Sequence, residues 1–518
     1  MNTVNQPAGS SRPAKRILQL ETGLLFAAPL LLAWLALLIF VSRHEMLDDA
    51  LIHLRYAAML AQHHFLTYDG VHPTYGASSV LYVLLLALLR FVTTSSMLPK
   101  LVSLAAYVIL LVLLAGLLWR WRHRPVPAAL LFFLLLTVCG PMGVRWLTDG
   151  METSLVAVVA VLLAMCAHRA ASRVRSSASA SMVLLLLSAA TVVLRVDLSL
   201  LVGVASGAIF VAGLQSGERA GAAVKAALPA ALGGALGATV LVLTMGHLLP
   251  DTALAKAGVP PLAVAFTMVH VLASAYSLGI GACAVWLATL GAAFARRIAT
   301  GGPVWALLVA NSAFPLLYAG AMLHGQQLQG VRYVLWALLF SIIWNVMEAA
   351  TCESVRPMHT SGWLQLAGAA ALLFFLVSFA IETPAFLRIE RGRSATYLAM
   401  RRQPLSLLAG QTGIAADVGF IGYFSQANIC DLSGLVNGRT AARMSPEMRV
   451  RRCVQEQPSF AFVSAPQQSF LANYMHLDDW ESCEAVDFTN VGSSDRHLLL
   501  LRRGATGLNC AVLLGHQQ

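Results

Sequence analysis

Long apolar runs, each closed by a short polar segment, recur along the chain from Gly23 to Ile381. A run of eighteen or more apolar residues is long enough to cross the hydrocarbon core of a bilayer as a helix. The pattern predicts spans over 23–42, 97–119, 126–146, 151–169, 182–198, 199–214, 227–246, 275–294, 303–322, 331–349 and 362–381, about eleven in all. The first run follows Arg12, Lys15 and Arg16, as a signal peptide would. It is long for one, and no small-residue cleavage motif follows, so it reads as an uncleaved anchor. Beyond residue 381 the apolar runs shorten and polar turns separate them. Ser459–Ser464 and His497–Leu501 there read as strands. The expected architecture is therefore a mainly α, polytopic transmembrane helical bundle with a C-terminal α/β domain. It divides into a cytoplasmic tail (1–22), a membrane module (23–382) with a first outer loop (43–76), and a soluble domain (383–518).

Lys and Arg set the orientation, because they concentrate in cytoplasmic loops. With the N-terminus inside, six basic regions all fall inside: the N-terminal tail, Arg120/Arg122/Arg124, Arg169/Arg173/Arg175, Arg219/Lys225, Arg296/Arg297 and Arg356. Residues 77–94 are apolar enough to cross, but a crossing there would invert every later loop. They are expected to lie as an interfacial or re-entrant helix on the outer side, and 260–274 as a second. The loops 43–76, 147–152, 195–199, 247–260 and 323–330, and the whole C-terminal domain, then face the periplasm of a bacterial inner membrane.

Composition agrees with this reading. The chain of 518 residues is 58% hydrophobic and 11% charged, and its mean hydropathy is +0.72. Ordinary soluble domains carry roughly 25% charged residues. The net charge of +11 resides mostly in short inter-span loops, which argues against nucleic acid as a partner. Of eight cysteines, Cys139, Cys166 and Cys283 lie in or beside spans and Cys352 in an inner loop. Cys430, Cys453, Cys483 and Cys510 lie in the outer domain, where an oxidising compartment permits two disulfides. Three pairings exist; Cys453–Cys483 is the one expected here.

The unusual polar residues gather in the outer loops. In Glu45-Met46-Leu47-Asp48-Asp49-Ala50-Leu51-Ile52-His53-Leu54-Arg55-Tyr56, helical spacing puts Asp48, Ile52 and Arg55 on one face and Asp49, His53 and Tyr56 on the next. A low-dielectric site would raise the pKa of one of two adjacent carboxylates. That suits a general base acting on a hydroxyl, although an acidic cap at a helix start accounts for the same pair. The segment Leu147-Thr148-Asp149-Gly150-Met151-Glu152-Thr153 and the corner Arg195-Val196-Asp197 add charges at span ends. So do His247 and Lys256 in the 246–258 loop, and Arg332-Tyr333 at the start of another span. Capping, snorkelling or ion pairing would explain each of these singly. The sequence has no phosphate-binding Gly-rich loop, no His/Cys metal spacing and no Gly-x-Ser-x-Gly elbow. An outward-facing site without a nucleotide must draw an activated substrate from the membrane. A sugar on a polyprenyl phosphate fits. Arg332, Lys256 or Arg55 would neutralise the leaving phosphate, and Asp48 or Asp49 would deprotonate the acceptor.

Asp48-Asp49-Ala50-x-Ile52-x-x-Arg55-Tyr56-Ala57 resembles the first outer-loop motif of the C-superfamily (GT-C) membrane glycosyltransferases, in the branch of the mycobacterial terminal arabinofuranosyltransferases. Gly150-Met151-Glu152-Thr153, Leu248-Leu249-Pro250-Asp251-Thr252 with Lys256, and Arg332-Tyr333 are similar to further motifs of that family. Asp417-x-Gly419-x-Ile421-Gly422-Tyr423-Phe424 and Asp431-Leu432-x-Gly434-Leu435-Val436-Asn437 are similar to another. The motifs run in order from 48 to 437. Two stretches depart from the family pattern: Thr74-Tyr75-Gly76-Ala77-Ser78-Ser79 and Arg195-Val196-Asp197-Leu198. The resemblance implies an inverting transferase that moves a sugar from a polyprenyl-phosphate donor to a periplasmic glycan or protein. Arabinofuranose follows from the nearest branch, with mannose or another hexose as alternatives. It implies a base at Asp48 or Asp49 and a substrate-binding set of His53, Arg55, Tyr56, Glu152, Arg195, His247, Lys256, Arg332 and Tyr333. The residues identify no certain cofactor; a divalent cation could assist, though no complete ligand set is visible. The alternative from the same residues is a transporter or flippase of a lipid-linked sugar.

Overall fold

The computed structural model describes residues 29–172, 177–326, 330–350, 362–489, 494–504 and 510–513. The basic tail with Arg12, Lys15 and Arg16, the loop residues Arg173, Arg175 and Arg356, and Cys352 lie outside the described residues.

Apolar composition produces helices where it predicts them. In chain order these are α1 (Pro29–Val41), α2 (Asp48–His63), α3 (Val80–Leu89), α4 (Leu98–Arg120), α5 (Pro125–Cys139), α6 (Pro141–Leu147), α7 (Thr153–Ser172), α8 (Ala178–Leu194) and α9 (Ser199–Gln215). They continue with α10 (Ala220–Met245), α11 (Asp251–Ala255), α12 (Pro261–Ala273), α13 (Gly281–Ala299), α14 (Trp305–Ala310), α15 (Ala313–His324), α16 (Leu335–Ala350) and α17 (Gly362–Arg402). Among the described residues, six helices are long and apolar enough to cross a membrane: α4, α7, 196–215, α10, 276–299 and α17. The pair α5–α6, bent by 69° at Gly140, makes a seventh if it is one span. Exposed side chains such as Val108, Val112, Leu232, Leu236, Leu243 and Phe266 face outward, as expected where lipid replaces water. Helix α16 is buried along almost its whole length and forms the centre of the bundle with α7.

The two doubtful segments are short helices. α3 has 10 residues and α12 has 13, about 15 and 20 Å at 1.5 Å per residue. A hydrocarbon core is about 30 Å thick. Small residues and buried amides hold the bundle together. Gly233 and Gly237 of α10 lie so close to the α8 carbonyls of Leu185 and Ala189 that a Cβ would clash with them, a spacing that lets helix backbones touch. Asn311, Asn345, Thr289 and Trp286 form a closed hydrogen-bond network between α13, α16 and the residue that ends α14.

The hydropathy break at residue 381 is not a helix end. α17 continues through Pro384 to Arg402, 41 residues in all, so the helix carries straight into the C-terminal domain. Two parallel and two antiparallel pairings build a five-stranded sheet there, in the order β2-β1-β3-β5-β4. Its strands are β1 (Thr412–Ala415), β2 (Asn428–Asp431), β3 (Phe460–Ser464), β4 (Trp480–Thr489) and β5 (Ser494–Arg502). The expected strands correspond to β3 and β5. Alternation along the strands divides the core. Ile414, Ala461, Val463 and Leu500 pack into a small separate cluster, whereas Phe460, Phe462, Leu499 and Leu501 join the continuous core of the helical bundle. The disulfides are Cys430–Cys453 and Cys483–Cys510, not Cys453–Cys483. Pairing follows the sheet and its flanking helix: Cys430 on β2 faces Cys453 on the helix Pro446–Gln455.

Candidate functional site

Helix α2 sorts the two adjacent acids onto different partners. Successive helical residues point about 100° apart, so Asp48 and Asp49 cannot share one environment. Asp48 is buried. Its carboxylate accepts the backbone N–H groups of Gly419 (2.8 Å) and Phe420 (2.6 Å). Both amides stand at the start of α18 (Val418–Ser425), where an anion is favoured. Gly419 has no room for a side chain: a Cβ would stand 1.9 Å from the Asp48 carbonyl oxygen. Burial and the nearby Asp417 carboxylate push the Asp48 carboxyl well above its ordinary value, against the pull of the two amides.

The same face carries Arg55, which sequence places among the phosphate-binding candidates. The structure seats it elsewhere. Its Nε and Nη2 donate to the carbonyls of Tyr68 and Ala427, both at 2.8 Å, and Nη1 donates to the Gly422 carbonyl. All three nitrogens are thus spent on the protein itself, two of them joining α2 to the C-terminal domain and one bonding the first loop. Tyr68 adds a hydrogen bond to the Val418 carbonyl (2.7 Å). Tyr56 is likewise internal, bonded to Thr74 (2.7 Å) and to the Gly76 amide (3.0 Å). His247 stacks on Tyr75, with ring centroids 5.6 Å apart, and bonds the Leu249 carbonyl. It therefore sits at the edge of the loop.

Asp49 points the other way, into a cluster drawn from five separate segments. Arg332 Nη2 donates to Asp49 Oδ2 at 3.0 Å. The two Arg332 nitrogens Nε and Nη1 are buried and have no hydrogen-bond partner, and the residue is only 3% exposed. Tyr333 lies between two guanidinium groups, with Arg195 4.9 Å and Arg332 5.2 Å from its ring centre. Arg195 is itself held by Asp197 through two bonds (3.0 and 2.7 Å) and by Glu152 at 3.3 Å. His53, one turn after Asp49, bonds the Asp49 carbonyl through Nδ1 (2.9 Å). A carbonyl only accepts, so Nδ1 carries the proton. Nε2 then faces Ser78 (3.5 Å) and Glu152 (3.9 Å).

Charge fixes the state of Asp49. Burial pushes its carboxyl up, but Lys256 and Arg332 overcome that effect and hold it at about 2. Asp49 is therefore a carboxylate at any physiological pH. It keeps a partly open side chain, 32% exposed, unlike Asp48. The structure thus gathers Asp49, His53, Glu152, Arg195, Lys256, Arg332 and Tyr333 into one place. It puts Asp48 and Arg55 at the junction with the C-terminal domain, and Tyr56 within the first loop.

Sequence reasoning missed Asp149 and Asp197 as members of this cluster. It also missed a buried layer beneath it. Glu45 binds Lys100 (2.9 Å) and Arg393 (2.6 Å), with Arg145 and Glu390 close enough to act on them electrostatically. Lys100 and Arg145 each interrupt an apolar run, which is the signal that could have exposed them. Among the described residues, no group of three or more His, Cys, Asp or Glu could hold a metal ion. The site's chemistry is that of a buried guanidinium with two open donors beside an ionised carboxylate. No protein-family model matches the chain, and no curated protein matches it in sequence.

Proposed function

We propose that the protein is a membrane glycosyltransferase of the GT-C type. It would take a sugar from a polyprenyl-phosphate donor and pass it, with inversion, to a glycan or protein on the periplasmic side of a bacterial inner membrane. The observation that carries this reading is Arg332: a buried guanidinium with one nitrogen on Asp49 and two with no partner. The open N–H groups on Nε and Nη1 can donate to the oxygens of a phosphate, and Lys256 adds a second cation whose charge reaches Asp49. In this arrangement Arg332 and Lys256 neutralise the leaving phosphate, and Asp49 receives the acceptor's hydroxyl proton. A base with a pKa near 2 suffices because that proton becomes strongly acidic as the new C–O bond forms. Phosphate binding also draws off the two cations that hold Asp49 low.

Several features support the sidedness. The cluster comes entirely from segments that the charge bias assigns to the outside. Both disulfides lie in the C-terminal domain, as an oxidising compartment requires. With purified protein in nanodiscs and a panel of labelled polyprenyl-phosphate sugars, Asp49→Asn should reduce turnover at least a hundredfold, while the protein folds normally. Wild-type rates in that variant would remove the proposed base.

One observation favours the runner-up, a transporter or flippase of a lipid-linked sugar. Two helix breaks, at Gly140 and before Tyr276, converge on Glu382, which accepts the amide and hydroxyl of Ser277 and the amide of Met142. Broken helices meeting at a buried carboxylate are a transporter feature. Flux of a labelled lipid-linked sugar into proteoliposomes, without sugar transfer, would establish that reading instead.

A further inference from the structure

Asp149 lies on the loop between α6 and α7, fully buried. The loop is pinned on every side. The Asp149 carbonyl accepts the Leu47 amide (3.2 Å), two residues before Asp49. Tyr82 donates to the Gly150 carbonyl (2.8 Å) and the Gly150 amide donates to Ser103 (3.2 Å). The Asp149 side chain is only half used: Oδ1 accepts the Met151 amide at 3.0 Å, and Oδ2 is buried with no partner. Arg332, whose Nε and Nη1 are also without partners, is the largest influence on it after burial itself. A buried carboxylate oxygen and two buried guanidinium nitrogens are thus left without partners within electrostatic reach of each other, and the same guanidinium holds Asp49.

We propose that Asp149 is a second acid–base residue of the site, giving a proton to the departing phosphate while Asp49 takes one from the acceptor hydroxyl. This rests on the transferase reading above. In the step, the acceptor oxygen bonds to the sugar's anomeric carbon and the bond from that carbon to the phosphate oxygen breaks. The electron pair of the broken bond stays on phosphate, which takes the Asp149 proton. The hydroxyl proton goes to Asp49. The net change is one proton moved from acceptor to phosphate, with Asp49 left protonated and Asp149 ionised.

The two acids are suited to this division because their surroundings separate their proton affinities. Burial lifts Asp149 to about 7, and the Glu45 charge adds to that lift. Arg332, Arg393 and the Met151 amide limit it. Arg145 and Tyr82 face it from α6 and α3, and Lys100 reaches the neighbouring Thr148 at 3.4 Å. A phosphate monoester has its second pKa near about 6, so a neutral Asp149 can hand over its proton without a large penalty. Afterwards the proton on Asp49, held at about 2, moves downhill to Asp149, held at about 7. Both groups are then reset without exchange with bulk solvent.

The test is the pH dependence of turnover in nanodiscs with a labelled polyprenyl-phosphate sugar. Wild-type kcat should be level below pH 7 and fall above it, as Asp149 loses its proton. Asp149→Asn keeps the acceptor for the Met151 amide and should lower kcat at pH 6.5 about a hundredfold. It should abolish the alkaline fall and leave KM for the donor within about threefold. A protonated-carboxyl infrared band that titrates near pH 7 in the wild type and vanishes in the variant should accompany the change. Wild-type turnover with no alkaline fall, or a variant with unaltered kcat and profile, would overturn the role of Asp149 alone. No turnover by the wild type with any donor would overturn the transferase reading as well.

Discussion

Asp48 and Asp49 differ by one position and have opposite surroundings, and the difference is measurable. Asp48 accepts two amides of α18; an Asn there can accept only one and would set an NH2 against the other. Removing a partner from a buried donor costs about 1–3 kcal/mol. Asp48→Asn should therefore loosen the C-terminal domain, lowering the melting temperature and speeding tryptic release of that domain. Gly419→Ala should do the same by a different route, since its Cβ has no space against the Asp48 carbonyl. Overpacking of that kind costs about 1–3 kcal/mol. Asp49→Asn should leave tryptic release of the domain at the wild-type rate, because Asp49 bonds Arg332 and not that domain. An Asp48→Asn protein as stable as wild type would show that the two amides do not need the carboxylate. Sequence spacing alone separated the faces of α2, with Asp48 and Arg55 on one and Asp49 and His53 on the next. What each face meets was not legible, because the partners Gly419, Gly422 and Ala427 lie more than 360 residues away in sequence and approach through backbone atoms, which leave no side-chain signal.

At the scale of elements, the C-terminal domain depends on two closures of its own. Cys430–Cys453 and Cys483–Cys510 span 23 and 27 residues, and each should contribute about 3 kcal/mol by restricting the unfolded chain. The paired change Cys430→Ser with Cys453→Ser should make 403–518 the first part to be digested, while α4, α7 and α16 resist protease as before. Equal digestion of domain and bundle would mean that the two unfold together. Helix positions were legible because an apolar run longer than a bilayer admits few other structures. The end of α17 was not. Hydropathy registers the change from apolar to polar surroundings near Ile381, but Arg388–Arg402 is still helical, and helix propensity is indifferent to which solvent surrounds it. Disulfide pairing was illegible for a related reason: it follows from strand order in the sheet, and β2 lies at the edge beside β1 rather than next to β3.

At the scale of the whole molecule, three connections fix the site against the C-terminal domain. α17 runs into that domain and holds Glu45 through Arg393; Asp48 and Arg55 hold α18 and the turn after it; and the faces of β3 and β5 carrying Phe460, Phe462, Leu499 and Leu501 share the bundle's core. The domain and the Asp49–Arg332 cluster must then lie on the same side of any membrane the bundle crosses. That constraint turns sidedness into one experiment. His72 on the first loop is exposed, its side chain 76% accessible, and Thr300 is exposed at the far end of α13, after Arg296 and Arg297. With basic loops held inside, a cysteine placed by His72→Cys should react with a membrane-impermeant maleimide in intact cells. One placed by Thr300→Cys should react only after permeabilisation. Cys139 is buried and Cys166 and Cys283 are partly so, and labelling of the unaltered protein supplies the background. The reverse pattern would put Asp49 in the cytosol. A periplasmic acceptor could not then reach Asp49, and the two disulfides would lie in a reducing compartment, so the transferase reading would fall with the orientation.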